Sequence, residues 1–283
     1  MCIIEIGIDP LAFSLGPINI KWYGIMVAAS IAFLVLWIWH FARKEGYTTE
    51  FVLGGALWAI PMGIIVSRLV HVIDKYSYYF SNPREIVGFE GLTIFGAILG
   101  GLLGAWIHCR ISKASFARLA DLAAPGIIVA QAIGRVGCIL NGCCCGKETT
   151  LPFSFIYTHP GSAAISCAPL GTALHPTQLY ELLGDLVIFG LLFWVFRGRL
   201  RPSGSLLAVY LFLYSTLTFT VRFWRGDTEP FAGFLQEGQM ISLVIMVISF
   251  VWLVWRARWQ KRGPALPPGE AESAVPQTVA DAE

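Results

Sequence analysis

Residues 134–146, Gly-Arg-Val-Gly-Cys-Ile-Leu-Asn-Gly-Cys-Cys-Cys-Gly, place an arginine near the end of an apolar run and follow it at once with a glycine-rich turn bearing three adjacent thiols. A guanidinium at membrane depth is costly, so an anion or an acidic partner is expected beside it. Two readings of Arg135 stand at this point. Its planar fork binds a phosphodiester, with backbone N–H groups of the Asn141-Gly142…Gly146 turn beside it; or it is a structural arginine satisfied by helix-end carbonyls or by reaching outward. A second constellation is His175-Pro176-Thr177-Gln178-Leu179-Tyr180-Glu181. Thr177 is expected to cap a helix there, with Pro176 tolerated at its start. Gln178, Tyr180 and Glu181 then share the first turn, and His175 is a candidate proton carrier. A third set is Tyr214 with Arg222 and Arg225. It reads either as an anion clamp or as a surface pair of Arg225 with Asp227. Tyr23, in Lys21-Trp22-Tyr23-Gly24, reads on local sequence as an interfacial anchor.

The cysteines admit several chemistries. Cys143, Cys144 and Cys145 share an external segment with Cys167, and an oxidising compartment favours a disulfide from Cys167 to one of the three. A thiolate made nucleophilic by Arg135 or Lys147 is a second reading. Adjacent thiols without a C-x-x-C pair are a poor metal signature, so neither a metal nor a cofactor is expected.

The elements that must position these groups follow from composition. The chain has 283 residues, is 56% apolar and 13% charged, and has a positive mean hydropathy. That composition predicts an all-α, polytopic membrane protein. A hydrocarbon core about 30 Å thick takes roughly 20 helical residues. Seven runs satisfy this, near 21–42, 51–73, 91–109, 119–140, 179–196, 205–225 and 239–256. The first begins after a mixed stretch without a basic segment, so no cleavable signal is expected. Small residues four apart, Gly96, Gly100 and Gly104, predict close helix packing in the third span.

Charge bias sets the orientation. One set of loops holds twelve Lys or Arg, among them Arg43, Lys44, Arg110, Lys113, Arg197, Arg199 and Arg256; the other holds four: Lys21, Lys75, Arg84 and Lys147. The first set is expected in the cytoplasm and the N-terminus outside. Residues 1–262 then form the membrane domain, with an external segment at 141–178. The Pro-, Ala- and Glu-rich residues 263–283 are expected to be a disordered cytoplasmic tail.

In this order, these motifs resemble the bacterial prolipoprotein diacylglyceryl transferase family. The match covers Phe13…Pro17 with Lys21-Trp22-Tyr23-Gly24, Ser67-Arg68-Leu69, the 91–101 run, Asp121…Gly134-Arg135-Val136-Gly137, Asn141-Gly142…Gly146, His175…Glu181 and Arg225-Gly226-Asp227 before Gln239. The resemblance implies a multi-pass protein of the bacterial inner membrane. It would move the diacylglyceryl group of phosphatidylglycerol to the thiol of a lipobox cysteine in a prolipoprotein signal peptide, with membrane lipid as partner and no nucleic acid. It further implies that Arg135 holds the phosphate, that Tyr23 and Tyr214 line the lipid site, that Arg225 lies beyond it, and that Asn141–Gly146 shapes the head-group pocket. The chain departs from the family pattern where a histidine is replaced by Phe95, an asparagine by Cys138, a glutamate by Cys143, an arginine by Thr218 and a further glutamate by Arg222. Arg222 and His175 are the expected replacements for the missing cation and imidazole. The other class of function is a divergent paralogue, a membrane thiol-redox or lipid-binding protein in which Cys143–Cys145 matter.

Overall fold

The structure, a computed structural model, describes residues 2–16, 18–86, 93–228, 230–232 and 235–260. The expected tail at 263–283 lies outside them, as do residues 91 and 92 of the expected third span. Seven helices are long and apolar enough to cross a membrane, and the chain is a mostly helical, multi-pass membrane protein. They are α1 (Trp22–Lys44), α2 (Thr49–Asp74), α4 (Ile94–Ile111), α5 (Phe116–Asn141), α6 (Thr177–Gly190, continued by a π-helical turn over Leu191–Phe196), α7 (Ser205–Val221) and α8 (Glu237–Arg256). A short helix α3 (Tyr76–Ser81) follows α2. Helix ends follow local chemistry. The Thr48 hydroxyl accepts from the Phe51 N–H at 3.2 Å, which starts α2 two residues before the expected run. Apolar side chains such as Leu57 (74% exposed) and Trp255 (78%) cover the outward faces of these helices, as bilayer-facing positions require.

Short strands add to the helical class. β1 (Cys2–Ile6) runs parallel to β4 (Phe153–Tyr157), which pairs antiparallel with β5 (Ala173–Leu174). Four other strands near the N-terminus and the last helix form hairpin-like pairs: β2 (Leu11–Leu15) with β3 (Ile18–Lys21), and β7 (Pro230–Ala232) with β8 (Leu235–Gln236). A last pair joins β6 (Leu200–Arg201) to β9 (Arg258–Trp259). The 141–178 segment therefore carries its own sheet. It also has its own core, in which Ile6, Phe155, Tyr157, Ala164 and Leu174 pack around Cys145.

The described residues cluster into two compact units, one over Met1–Leu36 and Ala120–Pro264, the other built on Trp37–Leu119. In the first, Ala124 and Ile128 of α5 pack with Ile188 of α6, with Leu192 of the turn that continues it, and with Leu206, Val209 and Tyr210 of α7. Asp121 joins the same elements, accepting from the N–H groups of Gly204 (2.7 Å) and Leu207 (2.8 Å) and so capping α7 from another helix.

In the second unit, α2 and α4 meet through the predicted small residues. A side chain at Gly100 would overlap the Met62 carbonyl, and one at Gly104 that of Trp58. The two backbones are also tied by Ser67 Oγ donating to the Thr93 carbonyl at 2.7 Å, and Thr93 Oγ1 to that of Ser67 at 3.2 Å. Since this seam has no room for a side chain, Gly100→Leu is expected to cost about 1–3 kcal/mol by overpacking. The measurement is the unfolding midpoint in detergent, and an unchanged midpoint sinks the close-packing account.

Candidate functional site

The turn after α5 is built by backbone geometry and then clamped from two sides. Gly142 has φ 74°, the left-handed region glycine favours, and a side chain there would collide with Ser162 Oγ. Cys144, with φ 59°, adopts the left-handed region despite carrying a side chain. On one side α6 holds the turn by its carbonyls: Thr177 Oγ1 donates to Cys144 O at 2.8 Å and Gln178 Nε2 to Cys143 O at 2.9 Å. This corrects the expected role of Thr177. The N-cap position belongs to Pro176, and the threonine hydroxyl, fully buried, is used on the turn. On the other side the Gly226 N–H donates to Cys145 O at 3.0 Å and the Lys147 N–H to Trp224 O at 2.7 Å, while Gly146 bridges Arg225. A side chain at Gly146 would overlap the His175 carbonyl, so that glycine is set by close approach. Cys145 pairs with Cys167 in a disulfide, which leaves Cys143 and Cys144 as free thiols.

Next to this turn lies a cluster of ionic groups from α5, α6 and the segment after α7. Arg135 Nη1 stands 2.6 Å from Glu181 Oε2, and Arg225 Nη1 stands 3.9 Å from Glu181 Oε1. The side chains of Glu181 and Arg225 are 2% and 8% exposed, so both charges are withdrawn from water. Arg225 also grips Asp227 bidentately at 2.8 and 2.5 Å, so the surface pair and the inward contact are made by one side chain. Among the described residues neither Glu181 oxygen has a directed hydrogen bond, and the contact with Arg135 is an ion pair. Arg222 lies with its guanidinium against Gly238, and its Nε is buried without an acceptor among the described residues. One turn earlier, the buried Thr218 hydroxyl has the Tyr214 hydroxyl as its hydrogen-bonding neighbour. Tyr214 has Arg135 and Glu181 as charged neighbours and stacks on Tyr210 at 5.8 Å.

The other candidates distribute as follows. Tyr23, at the start of α1, is 36% exposed and has Cys138, Cys143, Cys144 and Arg135 as electrostatic neighbours. Asn141 ends α5 beside Cys143. His175 Nδ1 lies 3.4 Å from the Tyr180 hydroxyl, and partial burial pushes its imidazole below the usual range, toward the neutral form. Gln178 is 1% exposed and is used on the turn and on Tyr157. The Cys144 thiol is lowered, by hydrogen bonds from Cys138 and Cys143 and by the charges of Arg225 and Arg135, against the effect of burial. Phe95 lies in the other unit.

Asp185 escaped the sequence reading, and Cys138 entered it only as a departure from the family pattern. Asp185 is fully buried one turn beyond Glu181, with neither oxygen hydrogen-bonded among the described residues. Its signal was an acid four residues from Glu181 inside an apolar span. Cys138 stands with Cys143 and Cys144, which the spacing 138/143/144 did not announce because the helix end and the turn between them set their approach.

A model of the prolipoprotein diacylglyceryl transferase family matches residues 10–255. The chain is 43% identical over 258 residues to a phosphatidylglycerol–prolipoprotein diacylglyceryl transferase of Dehalococcoides mccartyi, covering 91% of this chain and 97% of that one. It is similar to proteins of the same name from Listeria innocua (35% identity; 88% and 90% covered) and Clostridium tetani (32%; 89% and 99%).

Removing one partner of a buried ion pair leaves the other charge uncompensated. Glu181→Gln is therefore expected to destabilise the protein by about 3 kcal/mol. Unfolding in detergent reads this, and a wild-type midpoint would show that the arginines do not depend on Glu181.

Proposed function

Since this chain belongs to the prolipoprotein diacylglyceryl transferase family, we propose that it transfers the diacylglyceryl group of phosphatidylglycerol to the thiol of a lipobox cysteine in a prolipoprotein signal peptide. The reaction is placed in the bacterial inner membrane, with the N-terminus and the turn after α5 on the outer side and α8 ending in the cytoplasm. The observation that carries the reading is an unspent donor. Arg222 Nε is buried without an acceptor among the described residues, with Arg225 and Glu181 as charged neighbours. Buried donors without partners cost about 1–3 kcal/mol each, and a phosphate oxygen is the acceptor that a lipid head group would supply.

The chemistry follows from the charges. A thiolate attacks the glyceryl carbon, a carbon–sulfur bond forms, and the carbon–oxygen bond to phosphate breaks, releasing glycerol phosphate. Negative charge develops on the departing phosphate oxygen. Arg135, fixed by Glu181, and Arg222, with its free Nε, are the groups placed to meet it. Tyr214 and Tyr23 line the approach, Arg225 braces the turn, and Asn141, Gly142 and Gly146 shape its pocket. His175, held toward its neutral form next to Tyr180, takes the proton of the acceptor thiol.

Labelled phosphatidylglycerol and a lipobox peptide test this. Arg135→Lys is expected to lower kcat/KM for transfer by roughly 100-fold or more, the scale for loss of one oriented charge contact. Arg222→Ala and His175→Ala are each expected to lower it by about tenfold or more. Label that stays as unreacted lipid on an otherwise intact wild-type protein sinks the transferase reading; unchanged rates in Arg222→Ala or His175→Ala remove those residues from it.

A further inference from the structure

The free thiols at the end of α5 take part in none of the ion pairs above. Cys138, buried three residues before the helix ends, meets Cys143 and Cys144 so that the three sulfurs lie within 4.8 Å of one another. The approach is built rather than accidental. Gly142 and Cys144 both sit at positive φ, which reverses the chain tightly enough to bring the turn's thiols back over the last turn of α5. For cysteine that conformation costs on the order of 1–2 kcal/mol, and strain of this kind persists where surrounding contacts over-determine it. Those contacts are present: the carbonyls of Cys143 and Cys144 are held by Gln178 and Thr177 of α6, and the next residue is locked by the Cys145–Cys167 disulfide.

We propose that Cys138, Cys143 and Cys144 form a three-thiolate site for a zinc-class d10 cation, whose open fourth position takes the acceptor thiol. Zinc bound by sulfur at about 2.3 Å in a tetrahedron needs ligands about 3.8 Å apart, so side-chain adjustments within about an ångström close the site. Three thiolates and one Zn2+ leave a single negative charge, and Arg225 and Arg135 stand beside Cys144 to offset it. Three protein ligands leave one coordination position open, as in catalytic rather than structural zinc sites. A thiol entering that position is deprotonated on binding, its proton passing to His175, and is presented as thiolate beside Arg135 and Tyr23. The acceptor half of this proposal rests on the transferase reading; the metal half does not.

The test uses the full chain in detergent, loaded with Zn2+ and probed by X-ray absorption and by Cd2+ thiolate absorption. One Zn2+ per chain with three sulfur ligands is expected for the wild type and for Cys109→Ser. Cys138→Ser and Cys143→Ser are expected to weaken binding at least 100-fold. Adding a lipobox peptide is expected to raise the sulfur count to four, and the peptide with serine in place of its cysteine to leave it at three. Zinc held equally by the Cys138→Ser protein, no zinc at all, or a disulfide among these three cysteines in the isolated protein overturns the site. A sulfur count that stays at three with the cysteine peptide overturns the acceptor role, as does full-rate lipid transfer by metal-stripped protein. Zinc-loaded protein that binds the peptide thiol yet never moves labelled lipid overturns the transferase reading alone.

Discussion

The rest of the structure depends on one requirement: the Arg135 guanidinium, carried by a membrane-spanning helix, must be given a counter-charge inside the fold. Glu181 meets it at 2.6 Å, and it can do so only if α6 starts beside the end of α5. That single contact fixes which face of α6 turns inward. With Glu181 inward, Thr177 and Gln178 fall on the side of the turn, and their donors find the carbonyls of Cys144 and Cys143. The same carboxylate draws Arg225 to 3.9 Å, which brings the segment after α7 onto the turn's other flank. The ion pair, the turn and the α7 exit are therefore one arrangement, and a change in any of them is felt by the others.

The hydrogen bonds of this arrangement explain its glycines. Known contacts to the turn are made on its carbonyls, by α6 from one side and by the Gly226 N–H from the other. Backbone approaching backbone at this distance leaves no space for a side chain at Gly146. The small sheet of β1, β4 and β5, with the Cys145–Cys167 disulfide in its core, then holds the far end of the same segment. A long connection between spans is stabilised in this way by an apolar cluster that it shares with the N-terminal strand.

Much of this was legible in the sequence, for physical reasons that differ by level. The spans were readable because apolar length is a property of the chain alone, and the structure moved their ends by only a few residues. Glycine spacing announced the α2–α4 seam, since only small residues allow that approach. An acidic partner for Arg135 was predictable in kind but not in identity: Glu181 lies forty-six residues away, and nothing local points to it. Thr177 misled for the same reason. Its sequence context favours a cap, but a carbonyl on another element outcompeted the helix end for its hydroxyl. The short strands were unreadable because strands of two to five residues carry too little alternation to stand out.

The departures from the family pattern fall where the charge balance is set. A glutamate and an asparagine of the pattern are replaced by Cys143 and Cys138, and these thiols stand with Cys144 next to Arg135 and Arg225. Replacing a carboxylate near two guanidinium groups with a neutral thiol would leave excess positive charge in a buried place, which low dielectric makes costly. The neighbouring Cys144 thiol, lowered by its hydrogen bonds and by Arg225 and Arg135, is the group able to restore that charge as a thiolate, which changes the chemistry from hard to soft. At the end of α7 the resemblance implies a glutamate at the position of Arg222 and an arginine at that of Thr218, so the cation moves by one helical turn and the local charge rises by one. The added positive charge lies where Glu181 and the Cys144 thiol are the nearby groups able to offset it, so the charge balance at this end of the fold depends on sulfur as well as on carboxylate.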